Sequence, residues 1–117
     1  MRINEVVFDG QVPIDGYGPG FFRIGGSAFE GPLAMLPDGP RAWTGLPDVT
    51  AFLERPGDFD VLLMGMGAEI APLPGDVRTR LEDAGIAVEI MGTPSACRTY
   101  NVLLGEGRRI AAALMPV

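Results

Sequence analysis

Asp60-Val61-Leu62-Leu63-Met64-Gly65-Met66-Gly67 is the stretch on which the fold turns. An unbroken apolar run that starts after an aspartate and stops at a glycine fits a strand covered on both faces, not one lying half in water. Beyond Gly67 the apolar spacing changes period more than once. Pro74 suits the first turn of a helix whose Val77, Leu81 and Ala84 form one stripe, and Gly85 suits its C-terminal cap. A strand over 86–90 comes next, then a helix from about Pro94 to Leu104 ended by Gly105, then a strand over 109–114. The order strand, helix, strand, helix, strand predicts an α/β fold with helices packed on a central sheet.

Upstream the signals are shorter. Val6-Val7-Phe8, Phe21-Phe22-Arg23-Ile24 and Leu33-Ala34-Met35-Leu36 read as strands. They are separated by turns at Asp9-Gly10, Gly16-Tyr17-Gly18-Pro19-Gly20, Gly25-Gly26 and Pro37-Asp38-Gly39-Pro40. The expectation is a small N-terminal β meander, with Trp43 ending or following a further short strand. Asp48 is placed to cap a short helix carrying Val49, Phe52 and Leu53, which Pro56-Gly57 stops.

Composition bounds the chemistry. The 117 residues suit one domain spanning 1–117, and 47% hydrophobic with 21% charged residues is ordinary for a globular chain. A formal charge of −6 argues against a nucleic-acid partner or an anionic membrane surface, both of which need concentrated positive charge. No run approaches the eighteen or so apolar residues of a membrane span. The start, Met1-Arg2-Ile3-Asn4-Glu5, has no secretory or organelle leader pattern, so the expected location is cytoplasmic.

With no His, the chain can build neither an imidazole acid/base pair nor a Ser-His-Asp or Cys-His centre. All nine basic residues are Arg, so Schiff-base chemistry and a P-loop lysine are also absent. The acids, Asp9, Asp15 and Asp38 among them, sit in turn contexts that give paired-carboxylate catalysis little support. Cys97 stands alone and supports neither an intramolecular disulfide nor a thiolate zinc site. The reading is of a non-enzyme with no metal and no cofactor.

Gly65-Met66-Gly67 after a strand invites a dinucleotide-binding interpretation, but the third glycine is missing and the next helix starts too late. A tight turn that needs small residues explains it better. The segment Thr93-Pro94-Ser95-Ala96-Cys97-Arg98-Thr99-Tyr100-Asn101 carries more. Thr93 and Pro94 read as N-cap and first helical residue, and Ala96, Cys97, Tyr100, Leu103 and Leu104 share one apolar arc. Cys97 is therefore expected to be a buried, unreactive thiol. Arg98 and Asn101 fall on the other side as a polar pair that could hold an anion or partner carboxylate near the helix N-terminus, the alternative being that Arg98 ties loops to the helix through carbonyl or carboxylate contacts. Candidate binding residues are Gly65, Gly67, Thr93, Arg98 and Asn101, around a pocket between the loop 65–72 and that helix. Tyr17, Phe21, Phe22 and Phe29 offer either a partner surface or core packing under the meander.

The glycine-rich segment from Gly16 to Gly26, then Gly65-Met66-Gly67 with Pro72-Leu73-Pro74, then Cys97-Arg98-Thr99-Tyr100-Asn101, in that order, resemble a known family over essentially the whole chain. It is the small α/β family that includes mitochondrial respiratory complex I assembly factor 3, the adipogenesis-associated domain proteins and many bacterial and archaeal members of unknown function. The resemblance implies a three-layer fold with a central mixed sheet, flanking helices and a small N-terminal β portion. It also implies a non-enzymatic protein-interaction or assembly factor with a protein partner. Two positions depart from the family pattern: Gly92 stands where an acidic residue is common, and Met66 where Thr is usual. The alternative function is a small-molecule or anion-binding protein, an enzyme of unknown reaction included, that uses the pocket beside Thr93.

Overall fold

The computed structural model describes residues 10–117. Its strands are β1 (Gly16–Gly18), β2 (Phe21–Ile24), β3 (Ser27–Glu30), β4 (Leu33–Leu36), β5 (Gly39–Ala42), β6 (Val61–Gly65), β7 (Val88–Met91) and β8 (Ile110–Leu114). The helices are α1 (Thr50–Leu53), α2 (Val77–Asp83) and α3 (Thr93–Gly105), with a 3-10 turn at Pro56–Asp58. Val6, Val7, Phe8 and Asp9 lie outside the described residues.

Two sheets form. β1, β2 and β3 make an antiparallel meander, and the main sheet runs β5-β4-β8-β6-β7. In the main sheet β6 is parallel to both β7 and β8, whereas β4 is antiparallel to β5 and β8, so the sheet is mixed. From β6 the chain crosses outward to β7 and then back over β6 to β8. Right-handed crossovers in opposite directions must use opposite faces, which separates α2 from α3.

Side-chain alternation then builds a core on each face. Leu62, Met64, Ala111, Ala113 and Leu36 pack with Phe52 of α1 and Val77 and Leu81 of α2. Leu63, Ile110, Ala112, Leu114 and Met35 pack with Ala96, Cys97 and Tyr100 of α3 and with Phe22 and Ile24 of β2. The layers are therefore α1 and α2, the five-stranded sheet, and α3 with the small meander. Leu63, between the sheet and α3, is almost fully buried, and truncating such a side chain to Ala costs about 2–5 kcal/mol.

The sequence expectations need several corrections. Leu33–Leu36 belongs to the main sheet, not to the meander, pairing with β5 and β8. Gly16–Gly18 is a strand instead of a turn: the Phe21 ring lies over Gly18 so closely that a Cβ there would sit 2.5 Å from a ring carbon. Gly39 and Pro40 likewise open β5. Pro74 precedes α2 and accepts the Val77 N–H at 3.2 Å, so the helix starts three residues later than expected. The strand expected over 86–90 is Val88–Met91, Ile86 being buried just before it. The N-cap of α1 is Val49 and not Asp48, which stands one residue earlier and accepts the Thr50 N–H at 3.0 Å and the Thr44 hydroxyl at 2.6 Å.

Candidate functional site

The C-terminal ends of β6 and β7 are where the chain leaves toward opposite faces of the sheet. In open α/β sheets such a reversal opens a crevice that ligands commonly use. Here the chain fills it. Thr93, fully buried, donates its hydroxyl to the Met115 carbonyl at 2.6 Å and accepts the Gly67 N–H at 2.9 Å. The Thr93 N–H in turn donates to the Gly67 carbonyl at 2.7 Å. The N-cap position belongs to Gly92, not to Thr93, because Thr93 has already joined the helix and uses its side chain sideways.

Both glycines are required by this closure. A Cβ at Gly65 would sit 2.9 Å from Thr93 Oγ1 and 3.1 Å from Leu114 Cδ2, and Gly67 has φ of +103°, where a side chain is strained. Gly65, Gly67 and Thr93 are thus brought together as expected, in a sealed hydrogen-bonded junction.

Arg98 and Asn101 part company. Asn101 clamps the backbone of Ile14 from both sides, its Oδ1 accepting the Ile14 N–H and its Nδ2 donating to the Ile14 carbonyl, each at 2.8 Å. Gln11 adds a second fixing point, its Nε2 donating to the Ile110 carbonyl at 2.6 Å and to the Tyr100 hydroxyl at 3.3 Å. Arg98 is exposed, and no hydrogen bond or ion pair engages it among the described residues. The loop-tying role expected of Arg98 falls instead to Asn101, because Arg98 points to solvent while Asn101 faces the Ile14 backbone.

Cys97 lies on the buried arc of α3, and desolvation pushes its thiol from an ordinary 9.0 up to about 11. Tyr100 behaves alike: burial raises its hydroxyl to about 12, and the Gln11 contact offsets this only in part. Both groups are uncharged at neutral pH and poor nucleophiles. Among the described residues there is no group of three or more His, Cys, Asp or Glu side chains fit to hold a metal, and no buried side-chain nitrogen or oxygen lacks a partner. No helix among them is long and apolar enough to cross a membrane.

Open surface lies on either face of β7. On the α2 side, Ile70, Ala71, Pro72, Arg78 and Ile90 line an apolar groove of about 390 Å³, with Ile70 68% exposed. On the α3 side, Val61, Leu63, Glu89, Met91, Thr99, Leu103 and Arg108 line one of about 290 Å³. The sequence reading did not single out Ile70. The signal was there, since Ile70 and Ala71 precede Pro72-Leu73-Pro74 in a segment with no element of its own to bury them. The aromatics divide: Phe22 is core, Phe21 and Phe29 are half-buried, and Tyr17 is exposed.

The family described as a protein of unknown function (DUF498/DUF598) matches residues 14–115. An uncharacterised protein of Rhodobacter capsulatus is 50% identical over all of this chain and 94% of its own length. The Danio rerio NADH dehydrogenase [ubiquinone] 1 alpha subcomplex assembly factor 3 is 36% identical over 86% of this chain, which spans only 62% of that longer protein. The crystal structure of a Bartonella henselae protein described as an outer membrane protein superposes with a TM-score of 0.84 at 38% identity, over 92% of this chain and 97% of that one. The match over residues 14–115 shows that the chain belongs to the DUF498/DUF598 family, and its relatives include proteins named as complex I assembly factor 3.

Proposed function

We propose that this chain works as a single-domain, non-enzymatic protein-interaction factor of the assembly type, and that its partner surface is the apolar groove at Ile70, Ala71, Pro72 and Ile90. The observation that carries this reading is the contrast at the ends of β6 and β7. The Gly67–Thr93 junction is closed by three hydrogen bonds, while the loop beside it exposes Ile70 to solvent. A large aliphatic side chain held out on a proline-bounded loop contributes nothing to the core and favours contact with another protein. Relatives named as complex I assembly factor 3 support the assembly character. A chain without His or Lys, whose one thiol is buried and protonated, supports the non-enzymatic one. In this reading Gly65, Gly67, Thr93 and Asn101 serve the frame, and Arg98 is a solvent-facing charge available to a partner carboxylate.

The test is co-purification from the native host with tagged wild type, Ile70→Ser and, as a remote control, Thr44→Ala. Proteins recovered with wild type and control but depleted about fivefold or more by Ile70→Ser, with an unchanged melting temperature, support the surface; an interface anchor is worth about 1–2 kcal/mol on truncation. Equal recovery with all three chains refutes it.

A further inference from the structure

The main sheet ends on two unlike edges. At one, β5 carries Pro40, which has no N–H to offer, and an ion pair between Asp38 and Arg55 at 3.0 Å stands beside the strand. At the other edge, β7 has no proline. Its bonds to β6 run through Ala87 and Met91, whose carbonyls accept from Leu62 at 2.8 Å and Met66 at 2.9 Å. By the alternation of a parallel ladder, the N–H and C=O groups of Val88 and Ile90 therefore point away from the sheet. β7 pairs with β6 alone, and no loop backbone bond reaches these groups among the described residues. This row of free groups runs between the two grooves. Val88 and Ile90 lean toward the α2 side, Glu89 and Met91 toward the α3 side.

The geometry points to β7 as a strand-addition site for an extended segment of another protein, apolar at alternate positions and carrying a carboxylate where it passes Arg108. The inference rests on the protein-interaction reading and names the partner's chemistry. Backbone bonds to Val88 and Ile90 supply affinity, and side chains of alternating direction enter the two grooves. The α2-side groove takes the apolar set against Ile70, Pro72 and Ile90. Charge specifies the other set. The charged groups lining the grooves are Arg78, Arg108 and Glu89. Arg78 is engaged with Glu82 at 3.3 Å, whereas Arg108 has no ion-pair partner among the described residues. A second copy fits the edge less well. It brings another net −6, and antiparallel two-fold pairing sets Glu89 against either its own counterpart or a methionine.

The probe is a blocked heptapeptide, Glu-Val-Thr-Val-Thr-Val-Glu, which puts valines on one face, a threonine beside Glu89 and a carboxylate at the Arg108 end in either direction. It is compared with the same peptide ended by Lys, and with two forms N-methylated on alternate sets of amides. Titration of the intact chain is followed by backbone amide shifts. Saturable binding that perturbs Val88, Ile90 and Arg108 is expected, about fivefold tighter for the Glu-ended peptide, with the preference reversed by Arg108→Glu. Only one of the two methylation sets should abolish it, because only one edge of an added strand faces β7. No saturable binding, equal loss from both methylation sets, or indifference to the terminal charge overturns strand addition. So does sedimentation showing that the chain pairs with itself through β7. If these fail while Ile70→Ser still strips a partner, the interaction reading stands and strand addition falls; if both fail, both are wrong.

Discussion

The double clamp of Asn101 on Ile14 makes a sharp forecast, because its neighbour Arg98, one turn away on the same helix, is exposed and makes no hydrogen bond or ion pair among the described residues. Asn101→Ala removes one donor and one acceptor, each at 2.8 Å, and leaves the Ile14 N–H and C=O without protein partners in a half-buried setting. At about 1 kcal/mol per hydrogen bond the loss is about 2 kcal/mol. With a urea m-value of about 1–3 kcal/mol/M, the denaturation midpoint should fall by roughly 0.7 to 2 M. Arg98→Ala should shift stability by less than about 0.5 kcal/mol, as exposed substitutions usually do. Asn101→Asp keeps the acceptor but points a carboxylate at the Ile14 carbonyl. That repulsion should leave it less stable than wild type. Equilibrium urea curves measure all three, and amide exchange at Ile14 should quicken in Asn101→Ala. An Asn101→Ala chain within about 0.5 kcal/mol of wild type, or an Arg98→Ala chain as damaged as Asn101→Ala, would refute the reasoning.

Thr93→Val, nearly the same shape, deprives Gly67 N–H and the Met115 carbonyl of their shared hydroxyl, and calorimetry should show a loss of about 2–4 kcal/mol. Cys97 and Tyr100 both have raised folded pKa values, so their contribution is intact below about pH 9 and is lost as pH climbs toward 12. The upper bound is about 3 kcal/mol for each, and Cys97→Ala should flatten the part of a stability–pH curve between about pH 9 and 11. Thiol labelling of the folded chain at neutral pH should run far slower than in denaturant, and equal rates would contradict the buried position of Cys97.

Much of the fold was legible because the second half of the chain carries strong periodic signals. Val61–Gly65, α2, β7, α3 and β8 all lie within a few residues of where apolar spacing puts them. The misreading of Leu33–Leu36 is instructive. It is fully buried along its length, and its unbroken apolar run is the same two-faced signature that identified β6, yet its glycine-punctuated neighbours drew it into the meander. The sequence singled out Gly65, Gly67 and Thr93 as the lining of a pocket, but it did not show that the Thr93 hydroxyl would close the space between them. It did not show that Asn101 would grip a backbone 87 residues away, because a side chain that bonds to main chain leaves no pattern at its partner. The exposure of Ile70 did leave a sign, since Ile70 and Ala71 stand between β6 and Pro72-Leu73-Pro74 with no element of their own, but hydrophobicity alone says only what a residue prefers.

β8 is the last strand in sequence but occupies the centre of the main sheet, between β4 and β6. During synthesis, therefore, the β4–β5 hairpin and the β6–β7 pair emerge as separate halves, each with the side that β8 will cover still raw. Nothing joins them until the ribosome has added the 23 residues that follow Met91 as far as Leu114. At about 5–20 residues per second that interval lasts roughly 1–5 s. The nascent chain must keep two sticky halves from other partners for that time, and the alanines of Ile110–Leu114 then close the gap like a narrow keystone, small enough to slide between layers already in place.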